Sequence, residues 1–220
     1  GLGYAARGGR VLYPAVRLAY KAGSFPAVSA TSFVQYRAVS QESVTAYESG
    51  VKASLLGGSL QVNAAGFYYD YRDKQLRSKV QSFFGIQDAL VNVPRSTIKG
   101  FELETTMRPV EGLTLATGFT WLDAKIKTFQ GISGGGLPAD FADTRMPFAP
   151  KYQLSSNIDY EFPITGSLNA FVGGSMNLRS NTIAVVGGDT NAANAVPTNK
   201  MLQGIDNYIL VDARVGIAGP

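Results

Sequence analysis

Apolar residues recur at every second position of this chain over unusually long segments, and no other feature restricts the fold so strongly. From Phe101 to Arg108, one face carries Phe101, Leu103, Thr105 and Met107, and the other Glu102, Glu104, Thr106 and Arg108. That is the period of a β-strand, whose successive side chains point to opposite faces. The pattern restarts at Leu113 and runs to Trp121. It returns through Leu154 to Phe162, Leu168 to Arg179, and Ile209 to Ile217. Earlier copies run from Tyr47 to Leu55 and from Leu60 to Tyr71, with a weaker one near Val11 to Ala22. About eight strands are expected.

The connections alternate in length. Leu56 to Ser59, Pro109 to Gly112 and Pro163 to Gly166 read as tight Gly- and Pro-rich turns. Between them lie long polar stretches at about 23–43, 77–94, 130–150 and 184–206. Long structureless loops are uncommon in compact domains. Here they occupy every second connection, so an antiparallel meander gathers them at one end. Bacterial membrane barrels have short periplasmic turns and long extracellular loops in that arrangement.

Composition narrows the class. Charged residues make up 16% of the chain, against about 25% in soluble domains, while the hydrophobic share is an ordinary 45%. No run of about 18 apolar residues suggests a membrane helix. A spanning strand needs only about 9–11 residues and shows lipid every second side chain. Aromatics gather near strand ends, at Phe67 to Tyr71, at Phe119 and Trp121, and at Tyr160 and Phe162. Interfacial girdles account for that placement; in a soluble β-sandwich, the competing architecture, the same rings would be core. Soluble strands average about 5–6 residues, roughly half the length found here. No repeat suggests a propeller or solenoid.

Several functions are excluded. The chain has no cysteine and no histidine, which removes Ser-His-Asp triads, thiol nucleophiles and the commonest metal ligands. The net charge of +4 is dispersed without a basic run, so nucleic acid is not an expected partner. Glu102 and Glu104 share a strand face, as general acid–base carboxylates can. The simpler reading is polar wall residues paired across strands, with Lys52 and Arg108 as partners. Asp159, Glu161, Asp212 and Arg214 read the same way. Gly134 to Gly136 and Gly187-Gly188 lack the Gly-Lys-Ser/Thr ending of a phosphate loop. No enzyme, cofactor or metal site is expected.

Several segments resemble the C-terminal barrel of TonB-dependent outer-membrane receptors, those for iron complexes most of all. They are Arg17 to Phe25, Glu42 to Lys52, Leu60 to Gln75, Gly100-Phe101-Glu102-Leu103-Glu104, Gly112 to Leu115 and Trp121 to Ala124. Each is weak alone; their order and spacing carry the resemblance. It implies that residues 1–220 are an incomplete part of a 22-stranded transmembrane barrel in a Gram-negative outer membrane. The plug domain and the C-terminal strands would lie outside the chain. It implies active import of a ferric siderophore or similar scarce ligand, driven by TonB–ExbB–ExbD through a TonB box and plug. A porin-like passive channel is the alternative. Tyr36, Arg37, Phe83, Phe84, Phe141, Arg145 and Phe148 lie in the long loops, where aromatic and arginine side chains suit an anionic, aromatic iron chelate; packing and anchoring of the loops is the simpler role. Glu48, Lys52, Glu102, Glu104, Arg108, Asp159, Asp212 and Arg214 are expected to face the lumen.

Overall fold

The computed structural model describes residues 4–6, 9–25, 38–133, 135–188 and 203–219. The strands are β1 (Tyr4–Ala6), β2 (Arg10–Lys21), β3 (Glu42–Leu55), β4 (Leu60–Ser82), β5 (Gly85–Met107), β6 (Leu113–Thr128), β7 (Gln130–Ile132), β8 (Pro138–Asp140), β9 (Tyr152–Thr165), β10 (Leu168–Arg179), β11 (Thr182–Ile183), β12 (Gly204–Ile205) and β13 (Tyr208–Ala218). Eight are long, as the alternation predicts. They form one antiparallel meander in the order β1-β2-β3-β4-β5-β6-β9-β10-β13. It is a transmembrane barrel wall in part: the sheet is open, and β13 has a partner on one side only.

The register sorts the side chains onto two faces. Leu12, Val51, Ala64, Leu103, Phe119, Leu154, Leu178 and Ile209 stand opposite one another from β2 to β13. On this face no charged residue occurs over Leu12–Tyr20, Ser43–Leu55, Leu60–Tyr68, Phe101–Met107, Leu113–Trp121, Tyr152–Ile164, Leu168–Leu178 or Ile209–Ile217. Arg17, Glu48, Lys52, Glu102, Glu104, Asp159, Asp212 and Arg214 all fall on the other face. The apolar face is open rather than packed: Val16 and Leu18 are each 67% exposed and Val215 81%. A soluble sandwich would cover this surface. On this face the hydroxyls of Thr117 and Ser156 satisfy each other, Thr117 Oγ1 lying 3.2 Å from Ser156 Oγ.

Aromatic rings border the apolar band. Phe101, Trp121 and Tyr152 share one register row near the long-loop end, with Tyr47 and Tyr68 6.5 Å apart beside them. Tyr160 and Phe162 stack at 5.3 Å near the turn end. Tyr152 to Phe162 lies along β9, a rise of about 33 Å at 3.3 Å per residue. Tilted by about 40°, that becomes roughly 25 Å, the height of the apolar band of an outer-membrane barrel.

Three expectations need correction. The stretch 77–94 is not a loop: β4 and β5 run through it as a ladder to Ser82 and Gly85, turning at Phe83-Phe84. Likewise 130–150 holds the β7–β8 hairpin. Polar composition looks like loop, but beyond the band both faces of a strand meet water or protein, so alternation fades while pairing persists. The turn placed at Pro163 to Gly166 is shorter, at Gly166-Ser167, with Pro163 inside β9. Proline is tolerated there because β6 ends its pairing at Leu113–Tyr160, leaving that backbone side without a ladder partner.

Candidate functional site

The polar face is a wall of satisfied and unsatisfied charges. Arg17 Nη1 donates to Glu48 Oε2 at 3.1 Å. Arg214 Nε donates to Asp159 Oδ1 at 3.1 Å, and its Nη2 donates to the same oxygen. Ser175 Oγ donates to Asp212 Oδ2 at 3.3 Å, and Asn169 Nδ2 to Glu161 at 2.8 Å. Three glycines lie under aromatic rings across the ladder: Gly50 under Tyr13, Gly100 under Phe67 and Gly216 under Phe171. A Cβ at position 100 would sit 2.5 Å from the Phe67 ring and 2.6 Å from the Trp121 carbonyl oxygen. These rings therefore lie flat and leave the face smooth.

Between the ion pairs is an open groove of about 350 Å³, lined by Glu102, Glu104, Thr120, Gln153, Asn177 and Arg179 among others. The pairing expected for Glu102 and Glu104 is not made. Lys52 is two strands away from Glu104, with Asn63 between them, and its ammonium stands 6.0 Å from the Tyr13 ring. Arg108 follows the end of β5, where its backbone N–H donates to Ser59 O at 2.7 Å. Among the described residues Glu102 and Glu104 have no ion partner, and the buried Nε of Arg179 has no acceptor. Polar groups of both signs thus face the groove with bonds to give.

At the long-loop end, Glu42, Lys74 and Gln75 form a knot. Lys74 Nζ lies 3.5 Å from Glu42 Oε1, and the Gln75 backbone N–H donates to Glu42 Oε2 at 2.8 Å. Gln75 Nε2 also donates to the carbonyls of Ala22 and Ser40, and Asn92 Nδ2 donates to Ser40 O. This ties both ends of the 23–43 connection to the base of the β4–β5 hairpin. Burial pushes the Lys74 ammonium below its ordinary pKa, against the pull of Glu42. The sequence reading missed this knot; a Lys-Gln step interrupting an aromatic strand was its trace.

The loop candidates are not brought into one cluster. Tyr36 and Arg37 lie outside the described residues. Phe83 and Phe84 sit at the hairpin tip in an edge-to-face pair 5.4 Å apart, 75% and 62% exposed. Phe141 is buried at 1% and stacks on Phe129 at 5.8 Å in the core of Val93, Ala124, Ile126 and Met146. It packs the loop and cannot line a binding surface. Arg145 Nη2 donates to Asn181 O at 2.8 Å, which fixes it. Phe148 is exposed, with φ +55°. Among the described residues no group of three or more acidic side chains is placed to hold a metal.

The family model for the β-barrel of TonB-dependent receptor-like proteins matches residues 2–218. The chain belongs to the TonB-dependent receptor β-barrel family. This is a family of receptors, not of enzymes, as the residue inventory predicts. The fold is shared with the ferric yersiniabactin uptake receptor FyuA of Yersinia pestis (18% identity, TM-score 0.71, 97% of this chain and 28% of that one). It is shared too with the ferric preacinetobactin receptor BauA of Acinetobacter baumannii (16%, 0.63, 96% and 28%) and the copper transporter OprC (17%, 0.62, 95% and 29%). The chain thus spans less than a third of each of these receptors. The barrel sheet thus carries one apolar and one polar face.

Proposed function

We propose that this chain forms part of the barrel wall of an outer-membrane importer, TonB-coupled, that carries a ferric siderophore or a similar scarce metal complex. The observation that carries the reading is the uncharged lipid face, about 25 Å tall between its aromatic rims, on a sheet that matches the receptor barrel over residues 2–218. The short turns at residues 56–58, 109–112 and 166–167 mark the periplasmic end, and the β4–β5 hairpin stands on the extracellular side. Two open sheet edges cannot rest in lipid with bare N–H and C=O groups, so further strands of the same barrel take them. The unpaired Glu102 and Glu104, exposed on the polar face, leave carboxylates free to meet basic residues of a plug. Two structural neighbours are named as receptors for ferric yersiniabactin and ferric preacinetobactin and one as a copper transporter, which supports a metal complex as the ligand. Phe83, Phe84 and Phe148 are the exposed loop aromatics that would meet such a chelate.

The test is growth of a strain lacking the complete protein under iron limitation, with single ferric chelates or copper supplied, in backgrounds with and without TonB. A growth defect relieved by the protein only when TonB is present supports the reading. Uptake that persists without TonB and is unchanged by a proton uncoupler would favour the passive channel.

A further inference from the structure

We propose that aromatic rings seated over glycines of the facing strand set the register of those strand pairs that no short turn joins. Short turns at 56–59, 108–112 and 166–167 join β3 to β4, β5 to β6 and β9 to β10. A turn of that length fixes which residues face each other. The pairs β2–β3, β6–β9 and β10–β13 are joined instead by long connections. The β4–β5 pair is joined far up its hairpin at Phe83-Phe84, beyond the turned backbone of Asp73. A long connection closes at nearly the same cost for neighbouring registers. The two faces do not choose between them either. A slip of one residue moves every apolar side chain to the polar face, but a slip of two leaves both faces as they were. Something within each of these pairs has to reject the slip of two.

A ring over a glycine does so in three of the four. Tyr13 of β2 stands opposite Gly50, Phe67 of β4 opposite Gly100, and Phe171 of β10 opposite Gly216. Each ring occupies the space that a side chain on its partner would fill. A Cβ at position 50 would lie 2.6 Å from the Tyr13 hydroxyl, and one at position 100 would lie 2.5 Å from the Phe67 ring. After a slip of two, Tyr13 would meet Glu48 or Lys52, Phe67 would meet Ile98 or Glu102, and Phe171 would meet Arg214 or Ala218. Every one of these carries a Cβ where the ring must lie. The β10–β13 pair has a second contact of this kind. Arg214 crosses Gly173, directly opposite it, to reach Asp159 on β9. Across the turn-joined pairs Gly50, Gly100 and Gly173 face Ala65, Leu122 and Asp159, and no ring lies over them from that side. The fourth pair, β6–β9, matches the hydroxyls of Thr117 and Ser156 on the apolar face. A slip of two would set Thr117 against Leu154 or Ile158 and leave a hydroxyl in lipid without a partner. This pair alone rests on the lipid contact proposed above; the rings do not.

The complete receptor is assembled in cells. Residues 1–220 contain no cysteine, and any cysteine outside them is replaced by serine. Paired cysteines then report register, because a disulfide forms between facing residues and not between residues two positions out of step. In the native register Leu12→Cys cross-links to Val51→Cys; a slip of two brings it to Ser49→Cys or Ala53→Cys. Tyr13→Ala should raise the slipped cross-link about fivefold, from the ordinary worth of a cross-strand aromatic contact. The exchange Tyr13→Gly/Gly50→Tyr, which seats the ring from the other strand, should return it to the wild-type level. Tyr47→Ala removes a ring from the turn-joined β3–β4 pair, and should leave Val51→Cys cross-linking to Ala64→Cys alone. An unchanged slipped cross-link in Tyr13→Ala overturns the proposal. An exchange that fails to restore the register does so too, since the ring would then be filling and nothing more, and so does equal slippage in Tyr47→Ala. If Tyr13→Ala does not assemble, Tyr13→Leu is measured in its place with the same expectation. Thr117→Val tests the fourth pair, through Phe119→Cys with Leu154→Cys for the native register and with Tyr152→Cys or Ser156→Cys for the slipped ones. Slippage in Tyr13→Ala without slippage in Thr117→Val removes the hydroxyl pair and the lipid contact it depends on, and supports the rings.

Discussion

Between Leu60 and Tyr68 strand β4 has no buried residue, whereas in the same strand Gln75 and Ser78 are buried at 6% and 1%. Strand β6 changes likewise: Leu113 to Asp123 are all part-exposed, and then Ala124 and Ile126 are buried, at 8% and 0%. The lower stretches belong to a wall that shows its apolar side chains to lipid. The upper ones enclose an ordinary core of Val93, Ile126, Phe129, Phe141, Met146 and Val186. Two irregularities mark the passage. Asp73 takes φ +51°, and the β5–β6 register shifts between Arg95 and Ser96. An extra or turned residue re-aims side chains, so apolar groups that would have pointed outward meet each other inside. The wall needs no core because lipid replaces it; the part beyond the aromatic rim must make one.

The largest break in that comparison is Phe141→Ala. It should cost about 3–5 kcal/mol through lost burial and a cavity, confined to the extracellular part. Hydrogen exchange should rise at 124–146 while the heat-resistant migration of the folded barrel is kept. Global loss of the barrel would show that the two parts are not separable. Next is Met176→Arg, opposite Ser156 near mid-height of the lipid face. It should cost about 2–4 kcal/mol, read as a lower denaturant midpoint in vesicles, while Asn177→Arg on the lumen face should be near neutral. Equal costs would refute the assignment of faces. Gly100→Ala sharpens the picture at the lumen wall. The new Cβ meets a backbone oxygen that cannot move aside, so a cost of about 1–3 kcal/mol is expected, and Phe67→Leu in the same protein should recover only the part due to the ring.

The smallest effect is electrostatic. The Lys127 ammonium beside Asp143 holds that carboxyl below the usual carboxylate range, and Lys127 is raised in turn. A depressed carboxyl stabilises the fold above its unfolded pKa. That contribution is lost as pH falls through the folded value. Exchange of the turn at 141–145 should therefore quicken in acid, below the ordinary carboxylate pKa, and Asp143→Asn should abolish the pH dependence. Exposure and salt keep the effect small.

Much of the wall was legible in advance. The eight long strands, their faces and the tight turns follow from alternation and from glycine and proline. The loop end was legible only in part. Polar composition at 77–94 suggested a loop where a paired hairpin stands, because a strand wet on both faces loses its period. Phe141 and Phe83 look alike in sequence, yet one is buried and the other exposed. The expected partners of Glu102 and Glu104 were wrong for the same reason that Asp159 and Arg214 were not seen as a pair. Ion pairs across a sheet depend on register, and those two residues are 55 positions apart.

The sequence by itself determined that this chain makes long strands with one lipid-compatible face, because side-chain direction in a strand repeats every two residues whatever the strand pairs with. The tertiary structure decided where that face ends, which apolar residues turn inward beyond it, and which charges meet. Those outcomes depend on bulges and on the register between neighbouring strands, and both arise only when the strands are laid side by side.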